Sequence, residues 1–404
     1  MQIKLTEEQE MLRDMARKFA EREVEPVANQ IDAEDKVPEA LLAKCAELGF
    51  YGLFTSTEYG GLGQSLVNSC LVIEEISKAS PSLGGMLSVQ IVLCPATLEM
   101  VGTEEQKQRF LVPSASGEKV MAWSSTEPSG TIDYLRHRCR IEEDGNGYRL
   151  DGLKIYCTQG NAETFLVFAR TSKDGKEGYG GVIVEKGMEG FNPAVPEDKL
   201  GWRGTQTGTI SYDSISIPAE NLLGGFLTGR WEASPANSLG GIGHCASALG
   251  CLEGMFEKTV AYVKERNMYG VPMHSLQPVS YWLAQIWAKQ EACRAWLYQL
   301  VQAYDDGDRT IGTEMSACKA WLCDTVFECC NQLLQLWGGA GIMNSTGVNR
   351  YFRDARTKMV AEGSSELIYD GVASGILDKP SAMFADPKVA DFVFPDTNPS
   401  NRLL

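Results

Sequence analysis

Histidine is scarce in this chain: only His137, His244 and His274 occur among 404 residues, and no spacing would bring them to one metal. The twelve cysteines include no C-x-x-C pair, so a structural zinc site and a dithiol redox motif are both excluded. Basic residues are also short, with 37 Lys and Arg against 53 Asp and Glu, a net charge of −16. That balance excludes a nucleic-acid partner, because a phosphate backbone needs a basic footprint. No apolar run reads as long enough to cross a bilayer, so no membrane insertion is expected. The opening MQIKLTEEQEMLRD has charges interspersed almost from its start and no apolar core before a cleavage site. A cytoplasmic location is the expectation. Neither G-x-G-x-x-G after a strand nor G-x-x-x-x-G-K-[ST] occurs, so a nucleotide cofactor must be held by something other than a Rossmann turn or a P-loop.

What the chain does have is patterning. From Leu5 to about Val112, apolar residues recur at helical spacing in EEQEMLRDMARKFAEREV and PEALLAKCAELGF. Between about Lys119 and Leu223 the character changes to short runs (VMAWSS, YRLDGLKIY, TFLVFAR, GGVIVEK, GTISYDSISI) separated by Gly-rich turns, which predicts antiparallel strands. Helical spacing returns from about Asn237, where Leu249, Leu252, Phe256 and Val260 share a stripe. The expected division is a helical unit over 1–118, a β unit over 119–228, a helical unit over 229–378 and an extended tail over 379–404. Helix, strand, helix predicts an α+β fold in which helical layers flank a β unit. Cys318, Cys323, Cys329 and Cys330 fall in apolar helical patterns, where reduced thiols pack as small hydrophobes.

Five segments in order carry a resemblance: SSTEPSGTID (124–133), KIYCTQGN (154–161), ERNMYG (265–270), QLWGGAGI (335–342) and RDARTKMVAEGSSEL (353–367). Together they resemble the acyl-CoA dehydrogenase family over residues 5 to about 376. The resemblance implies that family's fold, with a C-terminal part like a four-helix bundle, and implies FAD as cofactor. It gives Glu362 the role of the base that removes the α-proton of an acyl thioester. A carboxylate sheltered from water suits that task because burial raises its pKa toward the working pH. Taken alone, Glu362 reads as an exposed glutamate before a glycine turn. Other branches place the base on an earlier helix, where this chain reads GGIGHCASALG (240–250) and has no carboxylate.

By the same resemblance, Thr126 and Thr158 meet the flavin ring, with Trp123 and Tyr156 as its aromatic neighbours. Singly, such residues read as strand formers and core aromatics. Arg266 matches an arginine that reaches the flavin pyrophosphate, a fit for a planar donor fork. Gln277, Gln335, Gly338 and Gly339 match cofactor contacts that the family supplies from an adjacent subunit, which implies at least a dimer and commonly a homotetramer. Ser364 and Glu366 match positions near the cofactor, and Gly363 sits beside the base at the substrate.

The chain also departs from the family pattern. Residues 131–133 read Thr-Ile-Asp, so Ile132 replaces a serine that would touch CoA, and Gly241 stands where an arginine often opens the long helix. Arg136, Arg138 and Arg140 follow the loop at period two, predicting one face of a strand, and Arg136 is a candidate contact for a CoA phosphate or a substrate carboxylate. A solvated strand face is the plainer reading. The segment SPSLGGMLSVQ (80–90) is similar to the glutaryl-CoA branch, yet Gly84 occupies the place of its carboxylate-binding arginine, which disfavours decarboxylation. Gly84, Gly85 and Ala361 are expected to free volume for a bulky, branched or aryl acyl group such as a benzylsuccinyl thioester.

The expected reaction is α,β-dehydrogenation to a trans-2-enoyl-CoA, with hydride passing to the flavin and electrons leaving to an electron-transfer flavoprotein. The same site could run as an enoyl-CoA reductase or as an oxidase. A catalytically silent binding or assembly protein is the remaining alternative.

Overall fold

A computed structural model describes residues 4–130 and 134–379. Ile132 and residues 380–404 of the expected tail over 379–404 lie outside the described residues.

Eight helices come first: α1 Glu7–Phe19, α2 Ala28–Glu34, α3 Glu39–Glu47, α4 Leu66–Ala79, α5 Pro81–Ser88, α6 Cys94–Val101, α7 Glu104–Gln106 and α8 Val112–Ala115. Thr6 opens α1 as a capping box with Gln9, each side chain taking the other's backbone N–H. Three widened turns interrupt this layer, at Ala20–Val24, Val89–Leu93 and Lys107–Leu111, and each ends two residues before a proline: Pro26, Pro95 and Pro113. Proline has no N–H for the carbonyl four residues back, and widening the preceding turn carries the helix past that gap.

The sheet follows: β1 Met121–Ser124, β2 Arg140–Asp144, β3 Gly147–Cys157, β4 Thr164–Lys173, β5 Lys176–Glu185, β6 Phe191–Pro196, β7 Gly208–Ile217 and β8 Leu222–Leu223. Its order is β6-β7-β3-β2-β4-β5-β8, with β1 paired to β4. Most pairs are antiparallel as expected, but β1 runs parallel to β4, Trp123 opposite Leu166. The β2–β3 hairpin returns the chain to where β1 began, and the N–H groups of Glu163 and Thr164 bond the Val120 carbonyl at 3.1 and 3.2 Å, so β4 starts beside β1 and runs with it.

Then come α9 Gly229–Glu232, α10 Ser234–Glu265, a short hairpin of β9 Asn267–Met268 and β10 Val271–Pro272, α11 Gln277–Asp305, α12 Gly312–Trp337, α13 Gly339–Ile342, α14 Asn349–Lys358 and α15 Ser365–Leu377. Helix α10 begins a few residues before the sequence pattern suggested and lies directly on α4. Gly250 and Gly254 make this possible, since a Cβ at either would collide with the Glu74 or Lys78 carbonyl of α4. The largest apolar core lies between these helical layers, and two smaller cores fill the sheet's faces. This is the α+β architecture that the patterning and the resemblance imply.

All twelve cysteines are buried free thiols. The expectation that no run could span a bilayer needs correction: the continuous helix Pro81–Val101 is long and apolar enough by length and composition. Its most apolar window is 83% buried within the protein, so its apolar surface is covered by α4, α10 and the strand β1 rather than presented to lipid.

Candidate active site

Two consecutive left-handed residues build the centre of the site. Between α14 and α15, Glu362 has φ +54° and Gly363 has φ +98°. A non-glycine residue held in that region carries a strain of about 1–3 kcal/mol and persists only where its surroundings fix it. Here the surroundings do so. Lys319 of α12 donates to the Gly363 carbonyl at 2.6 Å, Ser365 Oγ donates to Asp324 of α12 at 2.6 Å, and the Ser365 N–H bonds the Met359 carbonyl at 3.1 Å.

The turn aims the Glu362 side chain at α10, where two glycines leave room. A Cβ at Gly240 would lie 3.2 Å from Glu362 Oε1, and one at Gly241 would lie 3.7 Å from Oε2. Only 12% of the side chain is exposed, and both carboxyl oxygens are buried without a hydrogen-bond partner among the described residues. Burial pushes its pKa up to about 7, while the Lys319 and Lys358 ammoniums pull the other way. A carboxyl with free lone pairs that ionises near neutrality can take a proton from carbon, and such orphaned buried groups concentrate at functional sites.

His244 of α10 is the polar neighbour that sequence reading missed. Its Nδ1 lies 4.0 Å from Glu362 Oε1 and 3.2 Å from Ser88 Oγ at the end of α5. Its ring meets Trp202 edge to face at 4.7 Å. Lys358 stands over the same indole at 4.7 Å and donates to Ser247 at 2.7 Å, and the Trp202 backbone N–H donates to the Asp354 carboxylate at 2.6 Å. Burial, with Lys358 and Lys319 close by, holds the imidazole well below its usual pKa and therefore neutral. The only sequence signal was a histidine inside the apolar stretch GGIGHCASALG.

A second wall is formed where β1 and β3 end. The Ile155 N–H bonds the Thr126 carbonyl at 2.9 Å and Cys157 Sγ donates to the Trp123 carbonyl at 3.3 Å, which brings Trp123, Thr126, Tyr156 and Thr158 together. The Thr126 and Thr158 hydroxyls make no hydrogen bond among the described residues. Tyr156, at φ +58°, is 61% exposed, whereas Trp123 is half-buried against Phe168 at 4.4 Å.

Beneath the wall Glu127 is buried and paired with Lys154 at 2.7 Å. It also accepts the Arg138 N–H at 2.5 Å and the Cys139 N–H at 3.2 Å. Burial works against its ionised form, but the Lys154 ammonium and these donors outweigh it and hold the carboxyl below its usual range. This network corrects the expectation that Arg136, Arg138 and Arg140 share a strand face. Glu127 takes the N–H groups of residues 138 and 139 that strand pairing would use, so Arg136 closes a turn at Tyr134–Arg136 and β2 begins only at Arg140. His137 is buried and bonds the Gly130 carbonyl at 2.8 Å and the Tyr179 hydroxyl.

Gly84 does not face open volume: a Cβ there would collide with Ser77 of α4, and one at Gly85 would lie 2.8 Å from the Trp202 ring. Ala361 and Gly363 flank Glu362 in the turn. Ser364 opens α15, and Glu366 in its first turn is held below the usual carboxylate range by its own N–H and the Ser364 hydroxyl. At the far end of the helical layer, Tyr262 stacks on Trp337 at 4.1 Å, which joins the ends of α10 and α12. Arg266 follows the first and Gly338 and Gly339 the second, with Gln335 one turn earlier and Gln277 opening α11. A Cβ at Gly338 or Gly339 would meet nothing within 4 Å.

Known proteins resemble this chain in sequence and in fold. Models of the N-terminal, middle and C-terminal domains of acyl-CoA dehydrogenase match residues 6–118, 122–215 and 238–377. The short-chain-specific acyl-CoA dehydrogenase of Clostridium acetobutylicum is 34% identical over 369 residues, 91% of this chain and 97% of that protein. The 3-(aryl)acrylate reductase of Clostridium sporogenes is 32% identical over 374 residues, 92% and 99% of the two chains. The structure of butyryl-CoA dehydrogenase from Megasphaera elsdenii superposes with a TM-score of 0.89 at 29% identity, covering 93% of this chain and all of that one. With three family domains matched in order over most of its length, this chain belongs to the acyl-CoA dehydrogenase family.

Proposed function

We propose that the protein is an FAD-dependent acyl-CoA dehydrogenase in which Glu362 removes the α-proton of an acyl-CoA thioester. The observation that carries this is the buried Glu362 carboxyl, unpartnered and with its pKa raised to about 7, in the segment whose resemblance assigns it the role of base. When bound, FAD would accept the hydride from the β-carbon, and the product is a trans-2-enoyl-CoA.

The residues fit that cofactor. The free Thr126 and Thr158 hydroxyls, exposed Tyr156 and half-buried Trp123 offer a wall for the flavin ring. Ser364 and Glu366 stand on the turn beside the base, and Arg266, Gln277, Gln335, Gly338 and Gly339 offer a charged fork, amides and open backbone for the rest of the dinucleotide. Tyr269, Tyr281, Trp287 and Ile342 around them are 54–90% exposed, a surface suited to cover by further subunits of a homotetramer. Glu362 takes the proton while its surroundings exclude water, and its own backbone N–H is a donor for the developing enolate oxygen. Arg136 lies on the surface after the Thr-Glu-Pro turn and is assigned to a CoA phosphate or substrate carboxylate. Electrons pass to an electron-transfer flavoprotein in the cytoplasm, whereas the bulky, branched or aryl acyl group expected from Gly84 and Gly85, as in a benzylsuccinyl thioester, loses its support because Ser77 and Trp202 fill the space beside them.

Likeness to a 3-(aryl)acrylate reductase supports a second reading, in which Glu362 gives a proton to the α-carbon of an enoyl thioester substrate while reduced FAD, when bound, would supply the hydride to its β-carbon. Anaerobic titration of the yellow protein with straight, branched, aryl and dicarboxylic CoA esters separates the two. Bleaching by an ester, lost in Glu362→Gln, supports the dehydrogenase. Reduced flavin that only an enoyl ester reoxidises supports the reductase, and flavin indifferent to every ester refutes both.

A further inference from the structure

Trp202 belongs to the sheet unit but is lodged in the helical layers. It stands on the loop between β6 and β7 at φ +55°, a left-handed backbone that a bulky residue keeps only where its surroundings hold it. Helix α14 does most of the holding. Asp354 accepts the Trp202 backbone N–H at 2.6 Å, Arg353 donates to the Leu200 carbonyl at 3.0 Å, and a Cβ at Gly201 would strike the Arg353 carbonyl. The Thr205 hydroxyl donates to the Trp202 carbonyl at 2.8 Å from within the loop. Because α14 also leads into the turn that carries Glu362, one helix fixes both the base and this indole.

The ring is wedged between helices. It lies where a Cβ at Gly85 of α5 would be, meets His244 of α10 edge to face at 4.7 Å, and has Lys358 over its face at 4.7 Å. Loops ordinarily run over the surface, yet this loop residue is 3% exposed. Backbone strain of this kind clusters at functional sites, and here the strained residue ends beside the base.

The position matters for the acyl group because the reacting carbons must lie against the Glu362 carboxyl. In the dehydrogenase reading one side of them belongs to the flavin, and Lys319 bound to the Gly363 carbonyl occupies the side toward α12. The side toward α5 and α10 is already filled. A Cβ at Gly240 would lie 3.0 Å from Leu93 and 3.2 Å from Glu362 Oε1, and one at Gly243 would lie 3.0 Å from Ser88. His244 Nδ1 stands 4.0 Å from Oε1, with the indole behind it. Leu93, Ser88, His244 and Trp202 are all buried, and a close-packed interior yields little to an extra methylene.

We infer that Trp202, with His244 in front of it, is the floor of the acyl cavity and restricts the enzyme to a short acyl group of butyryl size. Octanoyl and aryl groups are refused. The inference rests on the dehydrogenase reading of Glu362 and adds the substrate class. Gly85 contributes no depth to the cavity, since the indole occupies the room it leaves.

The test measures bleaching of the flavin-loaded protein by butyryl-, octanoyl- and phenylpropionyl-CoA, and binding of the corresponding enoyl esters by calorimetry. The wild type should favour butyryl-CoA over each of the others by at least about a hundredfold in kcat/KM, since one misplaced methylene is worth about tenfold or more. Trp202→Gly removes the ring, suits the left-handed backbone and keeps the N–H that Asp354 accepts. In this variant the preference should fall by at least about tenfold through a gain for octanoyl-CoA, with butyryl-CoA within about threefold of wild type and octenoyl-CoA bound at least about tenfold more tightly. Trp202→Leu, which keeps an apolar filling should the glycine variant not fold, should lie between. A wild type that bleaches with octanoyl- or phenylpropionyl-CoA as readily as with butyryl-CoA would overturn the inference, as would folded variants that keep the wild-type preference. A preference that falls only because butyryl activity is lost marks a merely structural indole and overturns it too. Wild-type flavin that no ester bleaches would instead overturn the reading of Glu362, while enoyl binding still reports the cavity's depth.

Discussion

The raised pKa of Glu362 links catalysis to stability, and replacement by glutamine separates the two. In the unfolded chain this carboxyl ionises at 4.5, and in the folded protein at about 7. The folded state therefore holds a proton that the unfolded state has lost between those pH values, and folding stability declines as pH rises through this window. At about 1.36 kcal/mol per unit, the ionised carboxylate costs the folded protein about 3 kcal/mol above pH 7 and nothing below about pH 4.5. Glu362→Gln removes the titrating group while keeping the side chain's shape. Thermal unfolding should show the variant matching the wild type at pH 4 and clearly more stable at pH 8, although it no longer bleaches with any ester. In the wild type the base must be ionised to act, so the rate of flavin reduction should rise tenfold per unit below pH 7 and level off above it. Equal stability of the two proteins at pH 8, or a rate midpoint near 4.5, would refute the buried-carboxyl reasoning.

Four further outcomes follow from particular contacts. Lys319→Met removes a cation that opposes the shift at Glu362, so the midpoint of flavin reduction should move to higher pH. Lys154→Met leaves the buried Glu127 without its partner and should cost about 3–5 kcal/mol by denaturant unfolding, with flavin content falling as the Thr-Glu-Pro turn loosens. Gly250→Ala forces a methyl into the Glu74 carbonyl and should lower the melting temperature sharply, since overpacking costs about 1–3 kcal/mol where backbone cannot yield. Glu362→Gly combined with Gly241→Glu returns a carboxylate from a Cβ 3.7 Å from the present Oε2 and should restore slow bleaching that Glu362→Gly alone lacks.

The long helix α10, the change from helical to alternating periodicity near Lys119, and the order of helix, strand and helix were legible because local hydrophobic spacing reports them directly. The parallel pairing of β1 with β4 was not, since strand direction is set by where the β2–β3 hairpin returns the chain. The Arg136 and Arg138 segment misled for a related reason. Its period-two pattern was real, but a buried carboxylate 11 residues upstream, Glu127, claims the backbone donors. Gly84 looked like freed volume, and only the packing of α5 on α4 shows Ser77 filling it. Glu362 stood out through its surrounding motif, whereas His244 sits in a helix whose neighbours are all apolar. Its closeness to Glu362 depends on a turn more than 100 residues later, which no local pattern encodes.

The most direct test of Glu362 is exchange of the α-hydrogen. The flavin-loaded protein is incubated anaerobically in heavy water with a saturated ester that it accepts, and deuterium at the α-carbon is followed by NMR. Deuterium incorporation in the wild type and none in Glu362→Gln is the predicted result; incorporation at the wild-type rate in that variant would contradict Glu362 as the base.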